Sequence, residues 1–92
     1  MEKDNISETL RNIARFGKIL IRRPHCLERM EERNVNMDDI ENVLIWGTVE
    51  ETEEIKTGIW KCVVKGNDID GDELTCVAIL LTETNALCIT VF

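Results

Sequence analysis

A chain of 92 residues, 43% of them hydrophobic and 32% charged, is long enough for one packed domain and too short for separate binding and catalytic domains. Its net charge is −7, which argues against passive binding of nucleic acid over the whole surface, because phosphate contacts need clustered lysine and arginine. The charge is unevenly placed. Residues 1–33 hold eight basic and six acidic side chains, whereas residues 34–92 hold three basic and twelve acidic ones. A local basic surface can therefore form in the first third of the chain.

The cysteines and the apolar runs indicate the compartment. Cys26, Cys62, Cys76 and Cys88 show no C-x-x-C spacing, which excludes zinc-ribbon and thioredoxin motifs. Three of them lie in strand-like segments, so we expect reduced thiols that serve as core side chains. No apolar signal segment opens the chain, and its longest apolar run, 77–81, is too short to span a membrane. We expect a cytoplasmic protein without a membrane span.

The first predicted helix covers 7–16, where apolar residues recur at helical spacing and Gly17 follows as a stop. Its N-terminal cap is expected from Asp4, Asn5 or Ser7. Residues 18–23 form a short extended stretch that ends at the only proline, Pro24.

A second helix is predicted from about His25 to Asn34, with Cys26, Leu27 and Met30 on its apolar face. Its positions i, i+4 and i+8 carry His25, Arg29 and Arg33. Residues at that spacing drift slowly around a helix, so the three side chains form one line beside the apolar face. We call these three residues the basic stripe.

A third helix is predicted over 37–46, capped by Asn36 and stopped by Gly47. Trp46 falls well off its apolar face. From residue 48 the hydrophobic period changes to two, which predicts strands over 48–55, 59–65, 73–82 and 86–92 joined as hairpins. The fold class is therefore α+β: a single domain of residues 1–92 in which N-terminal helices pack on one face of a roughly four-stranded antiparallel sheet.

The basic stripe is the one cluster in the sequence that suggests chemistry. Common catalytic signatures, such as a phosphate-binding glycine loop, H-E-x-x-H or G-x-S-x-G, do not occur. Arg29 and Arg33 can hold a phosphate, and the imidazole of His25 can transfer a proton near neutral pH. Arg22 and Arg23 directly precede the stripe and could bind further phosphates. This chemistry calls for no metal and no cofactor. In the structural alternative, the stripe arginines pair with Glu28, Glu32 or strand carboxylates.

The stretch His25-Cys-Leu-Glu-Arg29-Met-Glu-Glu-Arg33-Asn-Val35 resembles a bacterial and archaeal domain-of-unknown-function family, number 4258. The segments 39–50, Trp60–Thr75 and Cys88–Phe92 resemble it too. The likeness covers roughly 20–92 and leaves out the first helix, 1–17.

The resemblance implies a fold similar to the RelE/ParE superfamily of small toxins, many of which cut mRNA on the ribosome with basic side chains. It also implies a zinc-finger antitoxin as partner. Carried over to this sequence, His25, Arg29 and Arg33 become the catalytic candidates, with Arg22 and Arg23 as RNA-binding residues. The first hypothesis is therefore the toxin of a toxin–antitoxin pair, acting as a metal-independent mRNA endoribonuclease that binds RNA or the ribosome. The alternative is a non-catalytic interaction or regulatory module that acts as a homodimer.

Overall fold

The computed structural model describes residues 2–92, with three helices and five strands in that part of the chain. The helices are α1 (Lys3–Phe16), α2 (His25–Arg33) and α3 (Met37–Trp46); the strands are β1 (Lys18–Ile21), β2 (Thr48–Lys56), β3 (Ile59–Asn67), β4 (Glu73–Leu80) and β5 (Asn85–Val91). The predicted α+β class and the order of helices before the main strands are confirmed.

The sheet differs from the prediction in strand number and in direction. Its order is β1-β5-β4-β3-β2, and β1 runs parallel to β5 while the other neighbours are antiparallel. The prediction of a roughly four-stranded antiparallel sheet is therefore wrong: the sheet is five-stranded and mixed. β1 lies in the stretch predicted only as extended. Its partner is far along the chain, with Lys18 opposite Asn85, so no local hairpin signal marks it.

Helix and strand ends also differ from the prediction. α1 begins at Lys3 rather than Ser7, and no side chain caps it by a hydrogen bond. Its first turn is instead supported by Lys3, whose Nζ donates to the Glu50 carbonyl at 2.7 Å. β4 ends at Leu80 rather than at 82, because the next two amide groups donate to the Asn85 carbonyl in a tight turn.

The third helix matches its predicted bounds because the cap at Asn36 and the end at Gly47 both lie where the sequence predicts them. The Asn36 side chain accepts from the Asp39 amide at 3.1 Å, and the Asp39 carboxylate accepts from the Asn36 amide at 2.9 Å. This reciprocal cap satisfies two amide groups that the helix cannot pair. At the other end, a Cβ on Gly47 would lie 2.4 Å from the Val43 carbonyl oxygen and 2.8 Å from that of Lys65. The close approach of α3 to β3 therefore requires glycine there.

The three helices cover one face of the sheet, which we call the inner face. A single cluster of buried side chains joins the helices to that face. Alternate strand residues, such as Cys62 and Val64 of β3, point into it, and all four cysteines are buried as predicted. α1 contributes Ile6, Leu10 and Ile13, so the helix outside the resemblance is part of the core.

The opposite, outer face carries the remaining strand side chains. Cross-strand pairing places Glu51 beside Val63 and Val77, and Glu53 beside Lys61. Val77 is buried yet lies apart from the main cluster. No helix within residues 2–92 has the length and apolar character needed to cross a membrane.

Candidate phosphate-binding site

The position of α2 follows from the parallel pairing of β1 with β5. β1 ends at Ile21, and the Arg22 amide still donates to the Cys88 carbonyl at 3.0 Å. The chain then turns at Pro24 and begins α2 beside the second half of β5. Cys26 and Met30 are buried against the sheet, with Cys26 Sγ 3.7 Å from Cys88 Sγ. The other side of the helix therefore lies along the free edge of β5.

Each member of the basic stripe contacts the sheet at this edge. His25 Nε2 lies 3.4 Å from Thr90 Oγ1. Arg29 Nε donates to the Val91 carbonyl at 3.4 Å, and Arg33 Nη2 donates to the Glu73 carbonyl at 3.2 Å. The predicted alignment of the three side chains is therefore confirmed, and the stripe follows β5 towards the start of β4.

The stripe keeps most of its positive charge. Two of its sheet contacts are to main-chain carbonyls, which orient a guanidinium without neutralising it. Arg29 also forms an ion pair with Glu32, 3.6 Å between Nη1 and Oε2, with side chains 37% and 63% exposed. Such a pair is worth at most about 1 kcal/mol and is readily broken by a stronger anion. It is the only ion pair within residues 2–92, so the predicted carboxylate pairing holds for Arg29 and not for Arg33.

The two arginines predicted to assist lie just before the stripe. Arg22 and Arg23 are exposed in the turn between β1 and α2. His25 and Arg33 are exposed as well, and Arg29 is half-buried. The segment from 22 to 33 therefore presents five basic or titratable side chains at one sheet edge. An anion at this edge can meet guanidinium groups and an imidazole together.

The contact partners of the stripe could not be found in the sequence. Thr90 faces outward only because a bulge between Val77 and Ala78 shifts the β4–β5 register. Phe92 continues the same face, since its amide and carbonyl both pair with Thr75 at 2.9 and 2.8 Å. Strand alternation without the bulge places Thr90 on the same face as Cys88, so no sequence signal points to it.

A cleft of about 420 Å³ lies along β2, and another of about 530 Å³ lies on the outer face. The outer-face cleft is lined by Glu50, Glu51, Val63, Lys65, Thr75 and Phe92. The stripe borders it rather than lining it, because Arg29 binds the residue next to Phe92.

The buried cysteines are poor candidates for a nucleophile. Burial, with Cys88 close by, raises the pKa of Cys26 to about 12. Burial raises the pKa of Cys62 to about 11. The pKa of Cys88 is also raised, through its contact with Cys76 and through burial. These thiols stay protonated near neutral pH, and a thiol is a far weaker nucleophile than its thiolate. Their predicted role as core residues is confirmed.

Comparison with known proteins identifies one family. The model of a domain of unknown function, DUF4258, matches residues 23–92. The match includes α2, α3 and strands β2 to β5, and it leaves out α1 and β1. Searches of curated proteins and of solved structures gave no match.

Proposed function

We propose that this chain, which belongs to the DUF4258 family of unknown function, is the toxin of a toxin–antitoxin pair and cleaves RNA without a metal ion. The basic stripe is the proposed site. His25 moves the proton, and Arg29 and Arg33 hold the scissile phosphate. Arg22 and Arg23 bind the adjacent backbone. An antitoxin of the zinc-finger type would inhibit the protein by covering this edge.

The observation that carries the proposal is how the stripe is held. Arg29 and Arg33 are oriented by main-chain carbonyls of β5 and β4, and His25 by a hydroxyl. The one ion pair that these arginines form within residues 2–92 is the exposed and weak contact between Arg29 and Glu32. Here the guanidinium groups are fixed at one end and remain available to a phosphate at the other. Preorganised cations of this kind stabilise charge that develops in a transition state.

The chemistry requires few groups. The 2′-hydroxyl oxygen of RNA attacks the adjacent phosphorus, the bond to the 5′-oxygen breaks, and a cyclic phosphate forms. Imidazole either removes the proton from the 2′-hydroxyl or donates one to the leaving oxygen. The two guanidinium groups bind the non-bridging oxygens, which carry extra charge in the pentacoordinate state. With one histidine in the chain, water or a second partner performs the other proton transfer.

The test is growth after controlled induction in a bacterial host, where ribosomes are present. We expect arrest by the wild-type protein, and none by His25→Ala or Arg29→Ala at equal soluble levels. Lys56→Ala is the control, because it removes one exposed cation at the end of β2, at the opposite edge of the sheet. RNA recovered from arrested cells should show new 5′ ends. Arrest that persists in both stripe variants would refute the proposed site. Absence of arrest by folded wild-type protein would refute the toxin activity.

One observation favours the alternative of an interaction module. Phe16 and Trp46 are 84% and 74% exposed at the ends of α1 and α3, and the Arg15 guanidinium lies 5.8 Å from the Trp46 ring centroid. Exposed tryptophan and arginine are enriched among the residues that dominate protein interfaces. If the protein is a homodimer that uses this surface, Trp46→Ala should make it a monomer in sedimentation experiments.

A further inference from the structure

One row of side chains crosses the outer face next to the basic stripe. Phe92 pairs with Thr75, and Thr75 pairs with Lys65. These three residues lie on three successive strands. Phe92 is 50% exposed although its main chain is fixed by two hydrogen bonds. Arg29 binds the carbonyl of the preceding residue, Val91. The main chain of an exposed aromatic residue is therefore fixed next to the residue that Arg29 contacts.

The same row leads into the outer-face cleft. The cleft is shallow and open to solvent, and it leaves room for a nucleobase to lie against the sheet. Glu51 lines the far side, on the strand next to Lys65. Neither Glu51 nor Lys65 takes part in an ion pair within residues 2–92, so both are available to a ligand. From β5 to β2 the sheet spans three strand spacings, about 14 Å, so a base in the cleft lies between Phe92 at one end and Glu51 at the other.

We propose that this cleft binds the base next to the scissile phosphate, that Phe92 stacks on it, and that Glu51 selects bases bearing an exocyclic amino group. The proposal rests on the proposed function, since it takes the phosphate to lie on the basic stripe. Single-stranded RNA is the form that can enter, because its unstacked bases are free to pack on an aromatic ring.

Selection follows from the chemistry of a carboxylate. An ionised carboxylate only accepts hydrogen bonds. Cytosine offers a 4-amino donor to such a group, whereas uracil presents a carbonyl oxygen at the same position. Cytosine is therefore bound in preference to uracil when Glu51 faces the base edge. A glutamine in its place offers both an acceptor and a donor, so it accommodates either base.

The experiment measures binding of fluorescent 2′-O-methyl tetranucleotides of cytidine and of uridine, which cannot be cleaved. We expect the wild-type protein to bind the cytidine probe more tightly, by about 5- to 100-fold. Glu51→Gln should remove most of that difference. Glu53→Gln is the matched control, because it makes the same charge change on the same face and strand, opposite Lys61. Phe92→Ala should weaken both probes by about 5- to 100-fold, and Phe92→Trp should restore binding.

The outcomes separate this proposal from the one on which it rests. If the wild-type protein binds neither probe, the base cleft is refuted, and growth arrest in cells, where ribosomes are present, decides the RNA function separately. If both probes bind, Arg29→Ala abolishes binding, and the Phe92 and Glu51 variants change nothing, the stripe stands and the base cleft is refuted. Equal effects of Glu51→Gln and Glu53→Gln would show only general charge repulsion, which also refutes selection by Glu51. If the protein forms a dimer without RNA and Phe92→Ala dissociates that dimer, this face binds a second copy of the chain and the base cleft is refuted.

Discussion

Leu10 offers a direct test of whether α1 is part of the folding unit. Its side chain is fully buried, as are those of Ile6 and Ile13 on the same helix face. Burying one large aliphatic side chain contributes about 1.5–3 kcal/mol, so the three together supply about 5–9 kcal/mol. A chain of this length has a total stability of about 5–14 kcal/mol. Ordering the helix offsets part of this gain, but the burial is large enough that loss of one of these side chains should be clearly measurable.

Leu10→Ala should lower the free energy of unfolding by about 2–5 kcal/mol, because it removes buried methyl groups and leaves a cavity. For a domain of this size, a loss of about 3 kcal/mol lowers Tm by roughly 12–24 °C. Asn12→Ala is the control, since Asn12 lies on the exposed side of the same helix and should change the stability by less than about 0.5 kcal/mol.

The assay is urea unfolding followed by circular dichroism, with Tm measured in parallel. A loss below about 1 kcal/mol for Leu10→Ala would contradict the packing of α1 in the core. It would also mean that residues 23–92 carry nearly all of the stability. If the expected loss is found, assays of function need the full chain, because a truncation at the family boundary would fail for lack of folding alone.

Two further predictions concern stability. Asp39 is buried, and its carboxylate accepts from the Asn36 amide at 2.9 Å and from the Ile69 amide at 3.0 Å. Asp39→Ala should therefore lower the free energy of unfolding by about 1–3 kcal/mol and speed hydrogen exchange at Ile69. The same effect from Asp38→Ala, its exposed neighbour, would count against this role. The raised pKa values of Cys26 and Cys62, about 12 and about 11 against 9.0 for the free thiol, stabilise the fold below pH 9. Above pH 9 the unfolded chain loses those protons first, so the free energy of unfolding should fall as the pH rises towards 11 to 12. Urea titrations at pH 8 and pH 10 test this, and no decrease would show that the thiols are not buried in the folded protein.

The sequence predicts the helices well because their signals are local. Asn36 and Gly47 mark the ends of α3, and both act at the predicted positions. α1 begins earlier than predicted because Lys3 is supported by a contact to Glu50, forty-seven residues away. Tertiary contacts of this kind extend a helix past its sequence signals. The parallel pairing of β1 is hidden for the same reason, since nothing near Lys18 indicates a partner at Asn85.

The candidate site was likewise predictable only where its signals are local in the sequence. The alignment of His25, Arg29 and Arg33 follows from helical periodicity alone, and the structure confirms it. What holds them does not follow from the sequence, because Thr90 and Glu73 are brought to the helix by the sheet. The role of the stripe in catalysis stays a prediction.

The glutamates of β2 add little to the repulsion of an anion at the stripe, because the sheet keeps them farther from it than Glu28, Glu31 and Glu32 of α2 itself. The strand order places α2 beside β5 and the glutamates of β2 at the opposite edge. Three strand spacings, about 14 Å, exceed the screening length of about 8 Å at physiological ionic strength. A phosphate on the stripe is therefore only weakly repelled by β2. A longer RNA crossing the sheet would bring its further phosphates close to those glutamates. The charge distribution thus favours a short contact, with phosphates at one edge and a base extending across the face.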